Sequence, residues 1–247
     1  MAVRGEYGIL HNEPVNNGIF QMIIQTGPLN IEPGQFVNVT IPGVFLPRPI
    51  LVANYSQGLL SLIYRVVGEG TELMSGMKQG DNITIMTGLG NGFDLNAKTE
   101  KPLIIGGGLG VAPLHYLAVK LKEQGLDPTI LLGFKSMEDA FYLSKFQNRL
   151  PETEVALESE GKLVTDLLKE LPPDSYDYFY TCGPKPMLKV INDIVLTDGE
   201  FSLEERMACG IGQCKCCSIQ TNDGMKTLCH DGPVLKKGLV RWDSCIK

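Results

Sequence analysis

Pro102-Leu103-Ile104-Ile105-Gly106-Gly107-Gly108-Leu109-Gly110-Val111-Ala112-Pro113 runs from an apolar tetrad through a glycine-rich turn into an amphipathic stretch. A continuous apolar run bounded by glycines reads as a short buried strand, Pro102–Ile105, and the spacing beyond it predicts a helix from about Pro113 to Glu123. The same unit recurs downstream. Thr129–Phe134, Val155–Glu158 and Tyr176–Thr181 read as strands, and Met137–Phe146, Val164–Glu170 and Pro186–Asp198 as helices. Strand–helix alternation of this kind predicts a parallel sheet covered on both faces.

The glycine loop sits where such sheets bind ligands, at the carboxyl end of a strand and the start of a helix. Gly107, Gly108 and Gly110 let a phosphate approach the backbone, and the helix start adds partial positive charge. Glycines at such turns also serve close packing, and Pro113 departs from a strict G-x-G-x-x-G. A second loop, Thr181-Cys182-Gly183-Pro184-Lys185-Pro186, likewise follows a strand and opens a helix, which strengthens a nucleotide reading. Glu158-Ser159-Glu160 follows the Val155–Leu157 strand without an adjacent Arg/Lys pair for a 2′-phosphate, which favours NADH over NADPH. The same acids equally suit a solvated loop.

Upstream, residues 1–97 are strand-rich. Ile19–Ile24, Gln35–Ile41, Leu59–Val67 and Asn82–Met86 alternate or run apolar between turn clusters such as Asn16-Asn17-Gly18 and Glu32-Pro33-Gly34, predicting a small barrel or sandwich. A short helix is expected over Glu69–Met77, with Thr71 able to cap it. Arg48-Pro49 at a strand edge and Gly70-Thr71 at a helix start are the residue types that hold phosphates, as a flavin nucleotide requires. Arginines near turns are also common on surfaces.

Composition bounds the rest. The 247 residues carry a net charge of −6, which argues against a nucleic-acid surface, and 43% apolar residues suffice for a core. No stretch of about 18 consecutive apolar residues reads as a membrane span and the start of the chain has no signal-peptide pattern, so the expected compartment is the cytoplasm. Disulfides are rare there, yet the chain has seven cysteines against three histidines. Six of them crowd residues 201–247, and Cys209, Cys214, Cys217 and Cys229 form C-x4-C-x2-C-x11-C. The first three cysteines match the spacing of a plant-type [2Fe–2S] loop, whose Gly210 and Gly212 let the backbone approach the sulfurs. Structural zinc favours paired C-x2-C knuckles, of which only one occurs here, and reduced buried thiols are the remaining alternative. Cys216 is expected to point away from a cluster and Cys245 to be a tail thiol. Two nucleotide loops followed by a cluster motif suggest electron transfer with a nicotinamide.

Arg48-Pro-Ile50, Gly68-x-Gly70-Thr71, Gly106 through Pro113, Cys182-Gly-Pro184, Arg206-Met-Ala-Cys209-Gly-Ile-Gly212 and Cys229-His-Asp-Gly-Pro-Val234 occur in the order found in one family. Over essentially the whole chain the sequence resembles the electron-transfer subunits of class 1B dihydroorotate dehydrogenase, in the ferredoxin–NADP reductase superfamily. The resemblance implies an antiparallel FAD-binding β-barrel (1–97), a Rossmann-like parallel-sheet NAD-binding α/β domain (98–200) and a small C-terminal [2Fe–2S] segment (201–247). It implies FAD contacts at Arg48, Pro49, Ile50, Leu51, Ile63, Tyr64, Arg65, Gly70 and Thr71, and NAD(H) contacts at Gly107, Gly108, Gly110, Cys182, Gly183 and Pro184. Cys182 would lie near the nicotinamide, packing against it or simply filling space. Cys209, Cys214, Cys217 and Cys229 would be the cluster ligands. The implied partner is an FMN-containing dihydroorotate dehydrogenase catalytic subunit, in a heterotetramer with two of each chain. Two departures stand out: Leu51 replaces the family's usual Ser or Thr near the flavin ring, and the Cys217–Cys229 interval is short. Two other readings stay open here. One is an NAD(H)–ferredoxin oxidoreductase or hydrogenase module with the same cofactors, the other a zinc-stabilised nucleotide sensor.

Overall fold

The computed structural model describes residues 2–16, 18–150 and 152–245, so Asn17 of the expected Asn16–Gly18 turn lies outside the described residues. The chain begins with β1 (Val3–Asn16), β2 (Ile19–Gln25), β3 (Phe36–Thr40), β4 (Arg48–Ser56), β5 (Leu59–Arg65) and β6 (Asn82–Leu89), with α1 (Glu69–Gly76) before the last. They close into an antiparallel barrel in the order β1-β2-β5-β4-β3-β6. The alternation read in the sequence is visible in β6, where Ile83, Ile85, Thr87 and Leu89 are buried and the residues between them are not. Met22, Ile24, Val37, Val39, Val52, Leu60 and Leu62 fill the interior with Ile85. Closure leaves no free strand edge.

Beyond the barrel, β7 (Pro102–Gly107), β8 (Thr129–Phe134), β9 (Glu154–Leu157), β10 (Tyr178–Cys182) and β11 (Asp198–Ser202) form a parallel sheet with α2 (Val111–Glu123), α3 (Leu143–Arg149), α4 (Val164–Glu170) and α5 (Lys185–Ile194) between them. One face packs against α2 and α3 through Leu114, Leu117, Leu121 and Phe146. The other packs against α4 and α5 through Val164, Leu167, Leu168, Leu188 and Ile191, so both faces are covered as expected.

Two expected helices need correction. The one predicted over Pro186–Asp198 stops at Ile194, because Val195 is extended and Asp198 already opens β11. The one predicted over Met137–Phe146 is a single 3₁₀ turn at Met137–Asp139, then α3 from Leu143, because Tyr142 is left-handed at φ 66° and interrupts the spiral.

The cysteine-rich segment has no helical period because it is a hairpin, β12 (Ser218–Thr221) and β13 (Gly224–Thr227), then α6 (Leu228–Asp231) and β14 (Val234–Lys236). The last strand pairs antiparallel with β11, making a six-stranded sheet in the order β14-β11-β10-β7-β8-β9. The expected boundary between residues 200 and 201 therefore falls inside β11. Among the described residues no helix is long and apolar enough to cross a membrane.

Candidate functional site

A cleft of about 350 Å³ opens where the three segments meet. The barrel lines it with Arg48, Pro49, Ile50, Leu51, Ile63, Tyr64, Arg65 and Thr71, eight of the nine residues expected around a flavin. Gly70 is not in the lining but makes room for it: a Cβ there would lie 2.6 Å from the guanidinium carbon of Arg48. The guanidinium is braced from behind by Nη1 donating to the Leu46 carbonyl at 2.6 Å. Thr71 does what its place near the start of α1 allows. Its Oγ1 accepts from the Val67 N–H at 2.9 Å and donates to the Gly68 carbonyl at 2.9 Å. The remaining N–H groups of that first turn have no intrahelical acceptor, leaving them for an anion. Leu51 pairs with Phe36 across β3 and β4, and both side chains line the cleft, which has an aliphatic wall at that point.

The opposite wall was not legible locally. Leu109, Ala112 and Pro113 come from the glycine loop and α2, and Leu203, Glu204, Glu205, Met207 and Pro233 from the cysteine-rich segment. Glu205 is ion-paired with Lys185 at the start of α5. Met207 is two residues from Cys209.

A second cavity of about 330 Å³ lies over the carboxyl ends of β7, β8 and β9. Gly107, Gly108 and Pro184 line it as expected. Gly110, Cys182 and Gly183 do not: a Cβ on Gly110 would collide with the Cys182 carbonyl, so these residues form the contact between the two loops. Cys182 is fully buried, lines neither cavity, and burial pushes its thiol well above the usual range. Glu158 lines the second cavity, but so do Lys135 and Lys162. The expectation that no cation pair stands near Glu158 is corrected: the parallel sheet brings Lys135, just past β8, beside the end of β9, and Lys162 lies four residues past Glu158.

The cysteine loop is built from backbone donors. Cys209 Sγ accepts from the N–H of Cys214 at 3.4 Å and of Ile211 at 3.5 Å, and Cys229 Sγ accepts from the Gly212 N–H at 3.1 Å. Burial works to raise the Cys209 thiol, but these donors and the neighbouring Cys214 outweigh it and bring it down to about 6. The β12–β13 hairpin explains the x11 interval, since it returns Cys229 to Cys217, whose Sγ accepts the Cys229 N–H at 3.4 Å. Burial first, then Cys217, push the Cys229 thiol up to about 12. The thiols thus stand as two pairs, Cys209 with Cys214 and Cys217 with Cys229. Among the described residues no three His, Cys, Asp or Glu side chains converge on one ion-sized point. Two pairs suit two irons, each taking two thiolates. Cys216 is exposed, its Sγ 3.5 Å from the Arg206 carbonyl, apart from both pairs. Gly210 is left-handed at φ 66°, and a Cβ there would collide with Asn38 of β3.

Residues 204–241 match the model of the iron-sulfur cluster binding domain of dihydroorotate dehydrogenase B. The dihydroorotate dehydrogenase B (NAD(+)) electron transfer subunit of Fusobacterium nucleatum is 41% identical over 219 residues, 82% of this chain and 84% of the relative. That of Caldanaerobacter subterraneus is 39% identical over 92% of this chain and 94% of its own. The chain belongs to this family of electron transfer subunits. Its fold is shared more widely. A structure described as the NADH-dependent reduced ferredoxin-NADP oxidoreductase of flavin-based electron bifurcation matches with a TM-score of 0.84 at 26% identity, covering 96% of this chain and 90% of the other. Phthalate dioxygenase reductase matches in fold with a TM-score of 0.67 at 14% identity, over 89% of this chain and 87% of its own. The ferredoxin-oxidoreductase reading thus shares the architecture, while sequence identity over nearly the whole chain belongs to the dihydroorotate dehydrogenase B subunits.

Proposed function

We propose that this chain is the electron-transfer subunit of an NAD⁺-linked dihydroorotate dehydrogenase. It holds FAD in the three-segment cleft, a [2Fe–2S] cluster on Cys209, Cys214, Cys217 and Cys229, and NAD(H) over Gly107, Gly108 and Pro184. The observation that carries the reading is the shared cleft. Flavin-type phosphate holders line one wall, the glycine loop another, and Met207 of the cysteine segment a third. A flavin exchanges hydride with a nicotinamide and single electrons with a two-iron cluster, so it belongs between them.

The chain's own residues supply binding and orientation. Arg48, braced by the Leu46 carbonyl, and the first turn of α1 hold the diphosphate. Leu51 and Ile63 exclude water from the ring, and Leu51 offers it no hydroxyl. The Cys214, Ile211, Gly212 and Cys229 N–H groups stabilise thiolate charge at the cluster. No group of this chain is needed as a base toward dihydroorotate, whose oxidation to orotate falls to the partner. That partner is an FMN-containing catalytic subunit, two of each chain forming a cytoplasmic heterotetramer in pyrimidine biosynthesis.

The test is to purify the chain without air, alone and with its catalytic partner, and to assay NAD⁺-dependent dihydroorotate oxidation alongside absorption and EPR spectra. Cys214→Ser removes the cluster signal and transfer to the partner while NADH still bleaches the flavin. Dihydroorotate–NAD⁺ turnover that does not require this chain would sink the proposal.

A further inference from the structure

A third cavity, of about 430 Å³, lies away from both nucleotide sites, between the barrel and helices α2 and α3. Its chemistry is unlike the rest of the molecule. The chain is acidic at net −6, yet no Asp or Glu lines this groove, while Lys145 and Arg149 of α3 both do. Among the described residues neither forms an ion pair. Lys145 Nζ instead sits 4.0 Å from the centroid of the Tyr142 ring.

The floor is His115 of α2. It is 9% exposed, and its ring packs edge-on against Tyr142 and Phe146 with centroids 5.4 and 5.1 Å away. His115 borders both this groove and a smaller one that also contains Arg149. Burial first, and then the charge of Lys145, bring its imidazole down to about 4 against a hydrogen bond with the Lys145 backbone, so the floor is neutral. The barrel side adds the amides of Asn54 and Gln57, facing Asn148 of α3. Tyr142, left-handed at φ 66°, has its hydroxyl tied to the barrel by Gln21 Nε2 at 3.1 Å. Strained backbone of this kind concentrates at ligand sites.

We propose that this groove is a second ligand site, which binds a phosphate dianion, free or esterified, between Lys145 and Arg149 above the neutral floor of His115 and so bridges the barrel and the α/β domain. Two cations with no carboxylate beside them match a doubly charged tetrahedral group. A dianion between Lys145 and Arg149 also offsets their mutual repulsion. The amides reach beyond the phosphate, where they can pair with the hydroxyls or heterocycle of an esterified sugar. The source is free phosphate or a sugar or nucleoside phosphate, and the experiment separates them.

The flavin- and cluster-loaded chain, saturated with NAD⁺ so that the dinucleotide site is silent, is titrated calorimetrically at constant ionic strength. The probes are inorganic phosphate, ribose 5-phosphate and a nucleoside 5′-monophosphate. Saturable binding at one site per chain is expected, weakened at least tenfold by Lys145→Gln with Arg149→Gln and abolished by Asn148→Glu, which puts a carboxylate at the exposed rim. If the double variant loses flavin or unfolds, Asn148→Glu alone decides. Tighter binding of an ester than of inorganic phosphate makes the ester the ligand, and equal binding makes it free phosphate. No saturable binding of any probe, or binding that Asn148→Glu leaves intact, overturns the proposal.

Discussion

Asn38 Nδ2 donates to the Cys209 carbonyl at 3.0 Å, so a buried side chain of barrel strand β3 holds the backbone of the first proposed cluster ligand, 171 residues away. The contact is close enough that only glycine fits next, at position 210. Asn38→Ala strips a partner from a packed carbonyl, a loss of about 1–3 kcal/mol. The expected result is cluster absorbance lost at lower guanidinium concentration than in the parent, with the flavin-to-protein ratio unchanged. Gly210→Ala, which adds backbone strain and a collision, should leave the chain short of iron as purified.

Arg48 lies over Gly70, with one nitrogen anchored at the Leu46 carbonyl. Arg48→Ala removes a charged phosphate hydrogen bond and should weaken FAD by about 1.5–3 kcal/mol. Gly70→Ala should act in the same direction by displacing the guanidinium. Equilibrium dialysis of the flavin measures both, and unaltered FAD affinity in both variants would contradict the assignment.

Glu158 shares its cavity with Lys135 and Lys162. As a carboxylate it opposes a 2′-phosphate, and with it gone Lys135 faces that group unopposed, while Lys162 stays paired with Glu170 at 2.9 Å. Glu158→Gln should raise kcat/KM for NADPH relative to NADH by about tenfold, the scale of one charged contact. An unchanged ratio places the discriminating contact elsewhere.

Lys236 of β14 meets Asp94 at 2.9 Å, Glu200 at 3.1 Å and the Tyr178 hydroxyl at 2.9 Å. Glu200 is buried, and burial raises its carboxyl even though Lys236 and the Asp94 N–H work against that rise. Lys236→Met leaves an uncompensated buried carboxylate and should cost about 3–5 kcal/mol near neutral pH. The sign with pH follows from the raised carboxyl. Its folded-state affinity for a proton exceeds the unfolded one, so the penalty is absent below the ordinary carboxylate range and grows as pH rises. Urea unfolding of parent and variant at about pH 4.5 and 7.5 should therefore show the larger gap at the higher pH.

The elements legible in the sequence are those whose signal is local. β2, β5, β6 and β8 follow from alternation or apolar runs, and the Cys209–Cys217 spacing reflects one loop. β1 was silent because it is half-exposed along much of its length while pairing with both β2 and β6. β11 hid behind Glu200, which reads as a surface residue until Lys236 arrives from the far end of the chain. The left-handed Tyr142, which truncates an expected helix, has no glycine to announce it. In the candidate site, Arg48 and the cysteines could be named from their own neighbourhoods. Asn38, Met207 and Lys135 beside Glu158 could not, because sheet closure and parallel strand ends bring them there, whereas Lys162 lies only four residues past Glu158.

The pairing of β14 with β11 also bears on colloidal behaviour. Without it the parallel sheet would end on a five-residue strand whose Phe201 is fully buried in the intact chain, an apolar ribbon of open N–H and C=O groups. With it the sheet ends in a three-residue strand carrying exposed Lys236, a rim too short and too charged to recruit another chain. Oxidative damage that frees the cysteine-rich segment would unmask that ribbon, so loss of iron in air should be followed by self-association and precipitation.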